Sequence, residues 1–270
     1  MNHLISFAYN DMWDERCYDF FNRSNTLLDS GAYTAFKSKK EINLEDYCSF
    51  VKNPPFKLWR YFALDKIGDS KATDRNLQIM LDKGLKPIPV FQRGQPLDKL
   101  YELLGKFDLV GIGGVAGTND RNSYLKWILQ RPDIDKQRLH LLGVLNIDII
   151  KQYRPYSCDS SFLVFAPKFA TITYYDPISN SLKRIGREII SNKKLMGALP
   201  TKIQEGLMTA DGWIHSTKLI ANNAHLKASL FFAIKLAQYL ENVNCKLFLI
   251  FPNTVPQVIF YQLQGEEWFV

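Results

Sequence analysis

A short apolar stretch ending in a polar or glycine-rich step recurs down most of this chain, with a helical or connecting segment after each. The stretches are Leu4–Tyr9, Thr26–Tyr33, Tyr61–Ile67, Lys86–Gln92, Asp108–Gly114, Arg138–Val144, Tyr156–Phe162 and, as an eighth, Phe169–Tyr175. Their spacing of roughly 20–30 residues is that of βα units feeding a parallel sheet. Asn43 caps a short amphipathic segment, LEDYCSFV, that Pro54-Pro55 stops. Asp69 caps a helix over Lys71–Lys83 that ends at Gly84. Further helices are expected at Leu97–Leu104, Asn122–Leu129 and Asp148–Tyr153. Eight such units make an α/β fold, a (β/α)8 TIM-like barrel, whose active site gathers at the C-terminal strand ends. An open doubly wound sheet is the runner-up. Against it, GIGGVAG does not follow the first strand, where the dinucleotide fingerprint belongs.

After Asp176 the character changes. Leu182–Lys194 is basic, and Leu195–Asn244 reads as mostly helical, with an apolar stripe in LKASLFFAIKLAQYL of the kind that fills cores. Cys245–Phe251 and Val258–Phe260 look like late strands. The expectation is one catalytic domain over residues 1–270, with the barrel core at about 1–180 and a C-terminal part at about 181–270. No apolar run approaches the roughly 18–20 residues that span a bilayer, so no membrane partner is expected. The start of the chain lacks the basic and small-residue marks of a signal peptide. Four scattered cysteines, with no C-x-x-C, argue against a disulfide framework or structural zinc and point to a cytoplasmic protein. Lys and Arg exceed Asp and Glu by 34 − 27 = 7, a surplus that suits a polyanionic partner.

A barrel would bring Asp29, Asp65, Gln92, Gly113, Gly114 and Asp159 to its mouth. Crowded carboxylates raise one another's pKa, a cost that proteins carry mainly where chemistry uses it. Three Asp without clustered His favour acid–base or nucleophilic work over zinc, while magnesium stays open. Each residue also has an ordinary reading. Asp29 and Asp159 can cap turns or helices, and Asp65 can pair with Lys66 or Arg60. Gln92 can be a plain strand-end polar group, and Gly113-Gly114 a plain turn. His140, inside an apolar strand, reads as a satisfied core histidine.

The order of these pieces is more telling than any one of them. LLDSGAYTAF, FALDKIGD, IPVFQRG, VGIGGVAG, LHLLGV and SCDSS, in that order from Thr26 to Tyr175, resemble the tRNA-guanine transglycosylase superfamily. They look closest to its short, phage-type members, which place 7-deazaguanine bases in DNA. The resemblance implies base exchange: guanine leaves its sugar, an aspartate holds C1′ covalently, and a 7-deazaguanine such as preQ0 or preQ1 takes the vacant place. Carried over, Asp159 is the nucleophile, Asp29 handles protons, and Asp65 reads the purine-like edge. Gln92 binds an exocyclic oxygen, and Gly113 and Gly114 bring backbone to the base. Leu142 and Gly143 wall the slot, and Tyr33 stacks on the base or simply packs. No cofactor is implied. Transfer RNA is the alternative substrate, and a barrel that only binds nucleic acid is the alternative class.

The chain departs from the tRNA enzymes in two places. It lacks their C-x-C-x-x-C…H zinc element, so no metal is expected. It also has SSFLVFAPKFA where they carry a P-T-R-x-G-R-x-G run, which favours DNA as the polymer. Lys168, Lys183, Arg184, Arg187, Lys193 and Lys194 follow Asp159 closely and are expected to hold backbone phosphates or to form a solvated basic face.

Overall fold

A computed structural model of the chain describes residues 2–13, 15–115, 117–161, 171–176, 178–186, 192–199, 201, 204 and 224–250. The strands are β1 (Asn2–Ser6), β2 (Asn25–Asp29), β3 (Arg60–Tyr61), β4 (Val90–Gln92), β5 (Val110–Gly113), β6 (Leu139–Leu141), β7 (Ser157–Ser160), β8 (Ile172–Asp176), β9 (Ser181–Ile185) and β10 (Lys246–Ile250). The α-helices are α1 (Glu15–Arg23), α2 (Ala32–Ser38), α3 (Leu44–Lys52), α4 (Ser70–Asp82), α5 (Leu97–Lys106), α6 (Arg121–Leu129), α7 (Ile147–Tyr153), α8 (Lys193–Gly197) and α9 (Ala224–Glu241). Two compact units result: Met1–Ser160 with Leu240–Ile250, and Ser161–Tyr239 with Phe251–Val270.

The first unit is an α/β fold built on one eight-stranded sheet, ordered β3-β2-β1-β10-β7-β6-β5-β4, in which every pairing is parallel. The sheet curls. Leu27 on β2 and Val90 on β4 stand far apart in the strand order, yet both pack in one buried cluster with Leu4, Phe62, Ile88, Leu109 and Phe248. A flat sheet cannot bring them together. The two outer strands approach each other at a single bridge, Phe62 to Ile88. There Ala63 N donates to Ile88 O and Ile88 N to Tyr61 O, each at 2.8 Å.

Local signals set the helix ends. The Asn43 side chain accepts from Glu45 N at 2.8 Å and Asp46 N at 3.2 Å, satisfying donors that α3 cannot pair internally. Asp69 does the same for Ala72 N at 2.9 Å at the start of α4. Gly84, at φ +74°, follows the last turn of that helix.

Two expectations about elements are corrected. The eighth strand of the sheet is β10, inserted between β1 and β7; it is not Phe169–Tyr175. Residues 172–176 instead pair antiparallel with β9 in a separate two-stranded ribbon in the second unit. A central parallel strand is covered on both faces and needs a continuous apolar run. Leu247, Phe248 and Leu249 supply one and are fully buried, whereas Tyr174, Tyr175 and Asp176 stay half-buried. Second, the strand expected over Thr26–Tyr33 stops at Asp29, and Ala32 opens α2. Gly31 turns the backbone at φ +85°, and a Cβ there would sit 2.7 Å from both the Ala8 Cβ and its backbone nitrogen.

In the second unit Tyr175 and Tyr239 pack ring against ring, with centroids 4.7 Å apart, and join through their hydroxyls at 3.1 Å. The expected late strand at Val258–Phe260 lies outside the described residues, as do Lys168, Arg187 and residues 205–223 of the expected helical region. Among the described residues, no helix is long and apolar enough to cross a membrane.

Candidate active site

All parallel strands end on the same side, so the residues expected at a mouth can be checked one by one. Asp29 ends β2, Gln92 ends β4, Gly113 ends β5, and Asp159 lies in the last half of β7. Asp65 follows β3 by four residues. Side chains alternate along a strand, so Leu27 in the core cluster and Asp29 above it share a face, as do Ser157 and Asp159. The apolar interior thus gives way to carboxylates one pleat further along.

Asp159 is almost fully buried. Its Oδ1 accepts from the Gly143 amide at 2.8 Å and faces His140 Nε2 at 3.1 Å. Its Oδ2 has no partner among the described residues. An ionised carboxylate only accepts, so we assign the ring hydrogen to His140 Nε2. In the neutral ring Nδ1 is then an acceptor for the Ser157 hydroxyl, 2.8 Å away. Strand register makes this line of groups, because His140 on β6 pairs with Ser157 on β7, and Asp159 lies two residues on from Ser157. Gly143 adopts φ +65°, a conformation that favours glycine. His140 is a satisfied core histidine, as its apolar strand suggests, but the group that satisfies it is the candidate nucleophile.

Asp65 has both oxygens engaged. Oδ1 accepts from Ser30 Oγ at 2.9 Å and Oδ2 from Gln92 Nε2 at 3.2 Å. The surface pairing open to it does not form, since Arg60 binds Asp108 bidentately at 2.8 and 2.7 Å and Lys66 pairs with Glu41 at 2.8 Å. Burial pushes the Asp65 carboxyl above its ordinary pKa, against the pull of the bonds from Ser30 and Gln92. Gln92 is itself buried and also donates to Lys66 O at 3.0 Å, so its amide hydrogens are committed to holding Asp65 in place.

Asp29 accepts from Gly31 N at 2.9 Å, so it does steady the turn into α2. It does more than that. Burial pushes its pKa up to about 7, and the carboxylates of Asp65 and Asp159 push the same way. The three acids therefore share one electrostatic site. Among the described residues, no group of three or more His, Cys, Asp or Glu is arranged to hold a metal ion.

The walls follow from small residues. A Cβ on Gly113 would meet Val90 Cγ1 at 2.7 Å, and one on Gly111 would meet Leu142 Cδ1 at 3.1 Å. Packing thus disfavours a side chain at both places, and Leu142 lies close to each. Gly114 turns at φ +71° beside Arg93. Tyr33 on α2 is 45% exposed, and its hydroxyl lies 3.7 Å from where a Gly117 Cβ would be, beside the loop after β5. Lys183 and Arg184 lie on β9 in the second unit, where Lys183 forms an ion pair with Asp176.

Sequence reading did not find the roles of His140, Ser157 and Ser30. Their partners lie on neighbouring strands or just beyond them, and no local motif marks that pairing. No protein-family model matches the chain, and no curated protein matches it.

Proposed function

We propose that the chain is a base-exchanging transglycosylase of the tRNA-guanine transglycosylase type. It acts on DNA, on a (β/α)8-type barrel whose eighth strand is β10. One observation carries the reading: three aspartates at or just past the ends of different strands share a site, Asp159 buried and Asp29 and Asp65 half-buried, and Asp159 has one oxygen held by two groups and the other without a partner among the described residues. That asymmetry suits a nucleophile. Gly143 and His140 fix the carboxylate through Oδ1 and leave Oδ2 for the sugar carbon.

In this mechanism Asp159 Oδ2 attacks C1′ as the bond from C1′ to guanine N9 breaks. A carboxylate suits a centre with oxocarbenium character, as in retaining glycosidases. The bonding pair leaves with the base, and Asp29 supplies a proton to it. A group with a pKa of about 7 is near half-protonated at neutral pH and can give and take that proton in turn. The incoming 7-deazaguanine then loses its N9 proton to Asp29 and attacks C1′, releasing Asp159. Asp65 accepts N–H donors from the base edge, with Gln92 and Ser30 holding its orientation. The target base must leave its stack to reach the strand ends, at a cost of a few kcal/mol.

The test is nucleoside mass spectrometry on total DNA and total tRNA from cells that express the chain and are supplied with a 7-deazaguanine precursor. A 7-deazaguanine deoxynucleoside in DNA, lost with Asp159→Ala, is the expected result. A modified nucleoside confined to tRNA transfers the proposal to tRNA. Neither product, with folded protein and precursor both present, refutes base exchange.

A further inference from the structure

A groove of about 680 Å³ runs along α2 and opens beside Asp65. Its floor is apolar, made by Ala35, Leu44, Leu64 and Ala72. Its rim is cationic: Lys39 and Lys40 after α2, Lys66 after β3, and Arg75 on α4. Lys66 is neutralised by Glu41, the one other acid of the lining besides Asp65. Lys39, Lys40 and Arg75 are exposed and have no ion-pair partner among the described residues. Phe36 also lines the groove and is 57% exposed. Tyr33 stands one turn before it on the same helix face, with Lys37 Nζ 5.6 Å from its ring centre.

We propose that this groove binds the single-stranded nucleic acid that flanks the reacting nucleotide. Cations without an ion-pair partner among the described residues, with an exposed aromatic ring in the same groove, match the two chemical parts of a strand, its phosphates and its base faces. Lys39, Lys40 and Arg75 take phosphates, and a base stacks on Phe36. Asp65 lines the groove and belongs to the carboxylate site, so a strand with one base in the site continues along α2. The proposal rests on the base-exchange reading for its choice of polymer, but its test needs no chemistry. It puts the track on the first unit, whereas Lys183 and Arg184 belong to the second.

The experiment is fluorescence anisotropy of a labelled single-stranded oligodeoxynucleotide, titrated with the full chain at several salt concentrations without any 7-deazaguanine. A Lys39→Ala, Lys40→Ala, Arg75→Ala triple variant should bind at least about tenfold more weakly. It should also flatten the slope of log K against log salt by about 2, from roughly 0.7 per lost phosphate contact. Phe36→Ala should weaken binding by about tenfold at unchanged slope. All four residues are exposed, and an unchanged melting temperature checks that each variant is folded. Unchanged affinity and slope in the triple variant overturn the proposal. So does a loss of binding to anionic lipid vesicles with none to the oligonucleotide. If the triple variant loses oligonucleotide binding while wild type shows no base exchange, the groove stands and the catalytic reading fails. If it keeps binding and wild type exchanges bases through Asp159, the reverse holds.

Discussion

The two ends of the curled sheet are built from the same strands and could hardly differ more. At the N-terminal end, Trp59 stacks on Phe248 at 5.5 Å and on Tyr156 at 6.3 Å. Lys246 lies over the Tyr156 ring and donates to the Tyr156 hydroxyl at 2.8 Å. That end is plugged by large rings with a cation at their faces, an arrangement that stabilises without doing chemistry. At the C-terminal end, buried Asp159 and half-buried Asp29 and Asp65 share one site, and desolvation raises the pKa of Asp29 and Asp65. Crowding like charges costs stability, so the fold gathers large apolar contacts at one end and its clustered carboxylates at the other. Barrel-like α/β proteins divide the work in this way.

Substitutions at the two ends should separate activity from stability. The largest effect is expected for Asp159→Ala, which should lower the base-exchange rate by at least about 10⁴-fold in a single-turnover assay while the fold persists. Asp29→Asn should cost about 10²–10⁴-fold in kcat, the usual worth of a positioned acid–base group. Trp59→Ala should do the opposite: urea denaturation should show a loss of about 3 kcal/mol, with kcat unchanged in the folded fraction. Catalytic loss in Trp59→Ala equal to that in Asp29→Asn would break the comparison.

His140 sharpens it, because it links interior to site. His140→Ala should lower kcat by about 10–100-fold with little change in KM, since it removes a hydrogen bond to a charged group that positions Asp159. His140→Gln, whose amide can donate to Oδ1, should recover part of that rate. A merely structural histidine would show lost stability and no such rescue.

The smallest effect is in the pH dependence of stability. In the unfolded chain Asp29 titrates near about 4, and in the fold near about 7. Between those values the folded state holds the extra proton, so stability falls as pH rises through the window and the full penalty applies above it. Asp65 is shifted in the same direction. Asp29→Asn should flatten this fall, so that its urea midpoint changes less than that of the wild type between pH 4 and pH 8.

Much of this arrangement was legible in the sequence. The caps Asn43 and Asp69, the stop at Gly84 and the carboxylates at strand ends are local signals, each decided by a few neighbouring residues. The eighth strand was not legible. FATITYY and CKLFLIF are both short and apolar, and only the burial of both faces between β1 and β7 selects the second. The end of β2 at Asp29 has a related cause: Gly31 turns the backbone against Ala8, distant in sequence, where no side chain fits. His140 and Gln92 show the same limit at the site. Each was visible as a polar residue on an apolar strand, while its partner, Asp159 or Asp65, depends on register and on the curl of the sheet.

The central claim is that Asp159 attacks the sugar through its free oxygen. Intact-protein mass spectrometry after denaturing quench, with a guanine-containing oligonucleotide and no incoming base, tests it most directly. The account predicts a covalent adduct equal in mass to protein plus oligonucleotide less guanine, mapped by proteolysis to the peptide carrying Asp159 and absent in Asp159→Asn. An adduct that persists in Asp159→Asn, or base exchange by wild type with no adduct at any quench time, would contradict it.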